Sequence, residues 1–126
     1  MVTIMTLTQT VASWDRKAAL NSVDGDTELL VELAEIFLQG SELLMQQVGH
    51  AIDTGDATEL HHAAHTLKGS IANFFAQDAR ESALALEMAG RAGHFDGARE
   101  TFGRLTTQLQ CLEVDLAEFI AAKGAN

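Results

Sequence analysis

The chain has 126 residues, of which 47 % are hydrophobic, and it carries a formal net charge of −10. This length suits one compact domain with a single core and is too short for a nucleotide-binding kinase fold with anything added to it. So acidic a chain is not expected to bind nucleic acid or an anionic membrane surface.

The composition favours helices, since the chain has no Pro and no Tyr and is rich in Ala, Leu and Glu. Its one cysteine, Cys111, cannot form an internal disulfide. Among Leu109, Leu112 and Val114 we expect it to be buried. The N-terminal stretch MVTIMTLTQTVASW lacks the basic region and the long apolar run of a signal peptide or a membrane anchor. We therefore expect a cytoplasmic protein whose residues 1–10 form a flexible tail.

Five amphipathic segments follow one another along the chain. They are predicted near residues 15–23, 27–52, 56–74, 78–92 and 96–122. Their inward residues recur at helical spacing, namely Leu30, Leu33, Ile36, Phe37, Leu44 and Val48, then Leu60, Ala64, Leu67, Ile71 and Phe74, then Ala79, Ala83 and Leu86, and last Leu105, Leu109, Leu112, Leu116 and Phe119. Asp26 and Asp56 are the predicted N-caps of the second and third segments, and Gly93 ends the fourth.

Short connections between these segments predict antiparallel neighbours. The fold class predicted is therefore all-α, an up-down-up-down four-helix bundle with a short extra N-terminal helix. The bundle domain is expected at residues 11–122, and residues 123–126 are expected to be a C-terminal tail.

The stretch HHAAHTLKGS, residues 61–70, lies on the third predicted helix. His65, Lys68 and Gly69 stand at i, i+3 and i+4 and therefore share one helix face. Imidazole, with an unperturbed pKa near ~6.5, is a good nucleophile at neutral pH. A lysine one turn on can neutralise phosphate oxygens, and we expect it on an exposed edge where it contributes little to folding. The glycine costs the helix ~1 kcal/mol relative to Ala, but it leaves a bare surface over which another protein can approach the imidazole.

This motif resembles the signature of histidine-containing phosphotransfer (HPt) domains, which carry phosphoryl groups in two-component phosphorelays. The stretches GDTELLVELAEIFL before it and ALALEMAGRAGHFDGA after it are similar to the family's run of helices, so the resemblance covers about residues 14–120. One departure is Phe75, which stands where members often have Gly shortly after the signature, and it bears on the geometry of the following turn.

The resemblance implies a phosphoryl carrier with no enzymatic activity of its own. His65 would take the phosphoryl group from an aspartyl phosphate of one receiver domain and pass it to the aspartate of another. The implied partners are response regulator receiver domains and a hybrid sensor histidine kinase. No cofactor is expected on this chain, because Mg²⁺ would be bound by the receiver, and the protein is expected to be a monomer.

A further candidate, Glu87, follows from the register of the helix hairpin. If the turn between the third and fourth helices is centred near Ala76, the residue level with His65 is Glu87. A carboxylate that accepts from Nδ1–H would fix the imidazole tautomer and leave Nε2 free to attack. In several HPt domains, a Glu or Gln at this position plays that role. Both side chains are expected to be partly exposed, and the alternative for Glu87 is a solvated surface carboxylate.

Two alternatives remain beside phosphotransfer. The chain could be a helical adaptor that binds a partner without carrying phosphate. His61 and His65 at i, i+4, or Glu59 with His62, could bind a metal, although no second Glu-x-x-His occurs. Ser70 follows the motif, but a small helix residue beside a neighbour explains it equally well. Catalysis with ATP is disfavoured, because no G-x-x-x-x-G-K-[ST] loop, kinase Gly-rich loop or G-x-S-x-G motif is present.

Overall fold

The computed structural model describes the backbone of residues 12–125 and the side chains of residues 12–123. This part of the chain contains five helices and no strand: α1 (Arg16–Ser22), α2 (Thr27–Thr54), α3 (Ala57–Ala72), α4 (Gln77–Ala92) and α5 (Ala98–Ala125). The predicted all-α fold is confirmed. The tail predicted at residues 1–10 lies outside the described residues. At the other end, α5 extends past the predicted boundary at 122.

Capping aspartates stand at the start of three helices, and glycines stand at the end of two. The carboxylates of Asp15, Asp26 and Asp56 each accept a hydrogen bond, at 3.0 Å, from the backbone N–H three residues further on. At the C-terminal ends of α2 and α4, Gly55 and Gly93 have φ of +68° and +70°. These left-handed conformations favour glycine and turn the chain back toward the preceding helix.

The four longer helices form a closed ring, since α2 contacts α3, α3 contacts α4, α4 contacts α5, and α5 contacts α2. The shorter α1 packs on α2. Because α3 and α4 have 16 residues and α2 and α5 have 28, the α3–α4 hairpin covers only part of the length of the two long helices. None of the helices in the described part is long and apolar enough to cross a membrane.

The core lies along the axis of this ring. Every inward residue predicted for α3, α4 and α5, including Phe74 just after α3, is buried. The prediction for α2 is wrong at Ile36, whose side chain is exposed. The buried stripe of α2 instead follows Leu30, Ala34, Phe37, Ser41 and Val48, and Ile36 points about 100° away from Phe37 around the helix.

Cys111 is exposed, and its predicted burial is also wrong. Leu109 and Leu112 are buried on α5, but Cys111, which immediately precedes Leu112, points about 100° away from it around the helix. Apolar neighbours along a helical sequence therefore did not indicate apolar surroundings in space.

The turn between α3 and α4 forms without the glycine that the resemblance led us to look for. Phe75 has φ of +52°, so a bulky residue holds a left-handed conformation there. A residue outside the hairpin stabilises this turn, because the N–H of Asp15 donates to the carbonyl of Phe74 at 3.1 Å. The ring of Trp14 also packs edge-on against Phe74 and Phe119. These contacts fix the hairpin register that determines which residue of α4 faces His65.

Candidate functional site

His65 lies in the middle of α3, on the face opposite to the core. Its neighbours Ala64 and Leu67 are fully buried, whereas 63 % of the His65 side chain is exposed. The helical period thus keeps the imidazole at the surface while Ala64 and Leu67 anchor α3 in the bundle.

Glu87 meets His65 from α4, and the predicted contact is present. Its Oε2 lies 3.1 Å from His65 Nδ1. An ionised carboxylate can only accept hydrogen bonds, so Nδ1 is the protonated nitrogen of the neutral ring. Nε2 then keeps its lone pair. The contact therefore selects the tautomer in which the nitrogen away from Glu87 is nucleophilic.

The carboxylate is more buried than the sequence led us to expect, since only 4 % of the Glu87 side chain is exposed. Lys68 also differs from its predicted place on an exposed edge. Its Nζ lies 2.7 Å from Glu87 Oε1, and 18 % of its side chain is exposed. Both differences have one cause. Because α3 and α4 lie close together, the Glu87 carboxylate is enclosed between them and the Lys68 ammonium lies against it.

These surroundings lower the pKa of Glu87 below its usual value of 4.5. The Lys68 ammonium is the largest cause. Burial of the carboxyl opposes it by disfavouring the charged form, and the hydrogen bond from His65 adds to the lowering. Glu87 is therefore ionised at neutral pH although it is enclosed, as its part in the contact with Nδ1–H requires.

Arg91 is a member of this cluster that the sequence analysis missed. Its Nη2 lies 3.8 Å from Glu87 Oε2, and its side chain is exposed. The signal was present in the sequence, because Glu and Arg at i and i+4 face each other on a helix. Glu87 is thus surrounded by three basic side chains, those of His65, Lys68 and Arg91.

Gly69 lies on the exposed face of α3, one turn after His65. A Cβ placed on it would have no heavy atom within 4 Å among its surroundings. Among the residues that the structure describes, no packing contact therefore requires a glycine at this position. Ser70 is half-buried, and its Oγ donates to the carbonyl of Thr66 at 3.3 Å. That hydroxyl is engaged within its own helix and makes no contact with the cluster around Glu87.

The remaining histidines of the motif lie toward the start of α3. The ring of His61 stacks on that of His65, with centroids 6.2 Å apart and an angle of 24° between the planes. His62 is exposed. In the described part of the chain, no three His, Cys, Asp or Glu side chains are arranged to hold a metal ion.

Comparison with known proteins adds the family to this geometry. The Hpt domain model matches residues 32–115, which is more than half of the chain and includes His65, Lys68 and Glu87. Among solved structures, the chain is similar to histidine-containing phosphotransfer protein B (HptB) from Pseudomonas aeruginosa PAO1. The two share 20 % sequence identity with a TM-score of 0.80, over 87 % of this chain and 96 % of that one, which shows a common fold. Comparison with curated proteins gives no match. The chain therefore belongs to the Hpt domain family, whose members are histidine phosphotransfer modules of two-component phosphorelays.

Proposed function

We propose that this protein carries a phosphoryl group on Nε2 of His65 between the aspartates of receiver domains. The observation that carries the proposal is the exposed imidazole whose Nδ1 is held 3.1 Å from a buried, ionised carboxylate. Because the chain belongs to the Hpt family of phosphotransfer modules, we place the source of the phosphoryl group on a partner protein. A hybrid sensor histidine kinase and response regulators are the partners that fit such a carrier.

In the first step, the Nε2 lone pair attacks the phosphorus of an aspartyl phosphate on the receiver. A phosphorus–nitrogen bond forms, the phosphorus–oxygen bond breaks, and the receiver's aspartate leaves as a carboxylate. The proton on Nδ1 stays in place, so the ring becomes a phosphorylated imidazolium. Glu87 stabilises this positive charge through its contact with Nδ1–H. Transfer to a second receiver is the same step in reverse.

Lys68 and Gly69 serve this reaction in different ways. The Lys68 ammonium, held on Glu87 at 2.7 Å, supplies positive charge beside the incoming phosphoryl oxygens. Gly69 leaves the surface beside His65 bare, which gives a receiver room to bring its aspartate to Nε2. Ser70 receives no role, and we place Mg²⁺ on the receiver and no cofactor on this chain.

Incubation with a panel of receiver domains, each phosphorylated by acetyl phosphate and Mg²⁺, tests the proposal. The wild-type protein should acquire one phosphoryl group at His65, and the adduct should be acid-labile and alkali-stable. His65→Gln should acquire none. His62→Gln is the matched control, because it removes an exposed histidine of the same helix and should accept phosphate at the wild-type rate.

Phosphorylation of His65→Gln at another residue would refute the assignment of the acceptor. Binding of a receiver by the wild-type protein without any phosphate transfer would instead identify the chain as a helical adaptor.

A further inference from the structure

Gly90 lies in the last turn of α4 (Gln77–Ala92), where that helix touches the backbone of α3. A Cβ added at Gly90 would stand 2.5 Å from the backbone N of His61 and 2.9 Å from both His61 Cα and the carbonyl oxygen of Ala57. All three atoms belong to the backbone of α3, so no change of rotamer could make room. The separation of the two helices at this level therefore requires the absence of a side chain at residue 90.

This contact lies one turn away from the candidate site on both helices. Gly90 follows Glu87 by three residues on α4, and His61 precedes His65 by four residues on α3. Residues with these spacings share a helix face. His61 touches the site in a second way, because its ring stacks on the ring of His65.

We propose that Gly90 is a positioning residue for phosphotransfer, because its missing side chain lets Glu87 reach His65 and orient the imidazole. The inference rests on the proposed function of His65. A methyl group at residue 90 would push the helices apart by about 1 Å, since ordinary carbon contacts are near 3.5 Å or more. The Nδ1–Oε2 distance is 3.1 Å, and a separation of 3.6 Å is no longer a hydrogen bond.

The chain offers a matched control for this substitution. Gly103 lies within α5, and a Cβ placed there would have no neighbouring heavy atom within 4 Å. Helix propensity favours Ala over Gly at both positions. Gly103→Ala should therefore leave the site unchanged, whereas Gly90→Ala should disturb it through the helix separation.

The experiment compares wild type, Gly90→Ala, Gly103→Ala, Glu87→Ala and the double variant Gly90→Ala/Glu87→Ala. The ¹⁵N chemical shifts of the His65 ring report its tautomer. Wild type and Gly103→Ala should show the Nδ1–H form, and Gly90→Ala should show a mixture close to that of Glu87→Ala. Phosphotransfer from a receiver to Gly90→Ala should slow roughly 10-fold to 100-fold, as expected for a displacement near 1 Å. In the double variant, Gly90→Ala should add no further change to the tautomer.

A folded Gly90→Ala protein with the wild-type tautomer would overturn the proposal, and so would a further tautomer change in the double variant. Failure of Gly90→Ala to fold at 5 °C, seen by circular dichroism, would also overturn it, because Gly90 would then be a folding residue. The tautomer measurement needs no phosphate. If wild type accepted no phosphate, the proposed function would fail, and the ¹⁵N spectra would still decide whether Gly90 positions Glu87.

Discussion

Glu87 is the residue on which the other groups of the site depend. It is enclosed between α3 and α4 and faces three basic side chains, and Lys68 is the nearest of them at 2.7 Å. An enclosed carboxylate without a partner is costly, because its lost hydration is not replaced. Lys68 therefore has two tasks. It stabilises the folded protein by neutralising Glu87, and in the proposed phosphotransfer it supplies positive charge to the phosphoryl group.

Lys68→Ala should consequently destabilise the protein as well as slow phosphotransfer. Leaving a buried charged group without its ion-pair partner costs about 1–3 kcal/mol, and the lower part of this range is expected because His65 and Arg91 remain near the carboxylate. Urea denaturation gives the free energy of unfolding, and transfer from a receiver gives the rate.

Two comparisons make the Lys68 prediction specific. Lys17→Ala removes an exposed lysine of α1 and should change the free energy of unfolding by no more than ~0.5 kcal/mol. In a Glu87→Gln background, Lys68→Ala should cost less than it does alone, because the buried charge is already gone. Equal costs in the two backgrounds would show that Lys68 stabilises the protein by some other contact.

Two glycines, one on α3 and one on α4, differ in the space that is available for a side chain. Gly69 faces open space, whereas Gly90 faces the backbone of the neighbouring helix. Gly69→Ala should therefore stabilise the protein by up to ~1 kcal/mol, because it adds helix propensity and meets no atom. Gly69→Leu should fold equally well and transfer phosphate slowly, because its side chain occupies the space above α3 that a receiver needs.

Thermal unfolding and receiver-to-protein transfer rates test the Gly69 prediction, with Gly103→Leu as the control on α5. Gly103→Leu should also fold normally, but its transfer rate should match that of wild type. Full-speed transfer by Gly69→Leu would mean that the receiver does not pass over this glycine, and the clearance argument would be wrong.

The features of the whole molecule that depend on local sequence, namely its helices and the register of its central hairpin, were predictable. Aspartate caps, C-terminal glycines and apolar periodicity predicted five helices close to their observed bounds. The hairpin register also placed Glu87 level with His65, although Phe75 had to hold the turn without glycine. The burial of Glu87 and the position of Lys68 were not predictable in this way. They depend on how closely α3 approaches α4, and a single sequence does not indicate that a glycine such as Gly90 faces a backbone.

The pH dependence of global unfolding should contain a contribution from Glu87. Its pKa in the folded protein is below the ordinary value of 4.5 that applies to the unfolded chain. Between these two pKa values the unfolded chain binds more protons than the folded protein, so the free energy of unfolding rises with pH. The contribution is fully present above the unfolded-state pKa and is lost as pH falls through the folded-state pKa.

Glu87→Gln removes this titration. Urea denaturation between about pH 3 and pH 7 should therefore show wild type and Glu87→Gln differing most above about pH 5.5 and converging in acid. Glu118→Gln, which removes an exposed carboxylate of α5, is the matched control. If the Glu87→Gln curve ran parallel to that of wild type from pH 3 to pH 7, Lys68 would not lower the pKa of the Glu87 carboxyl. The electrostatic account of the site given above would then be wrong.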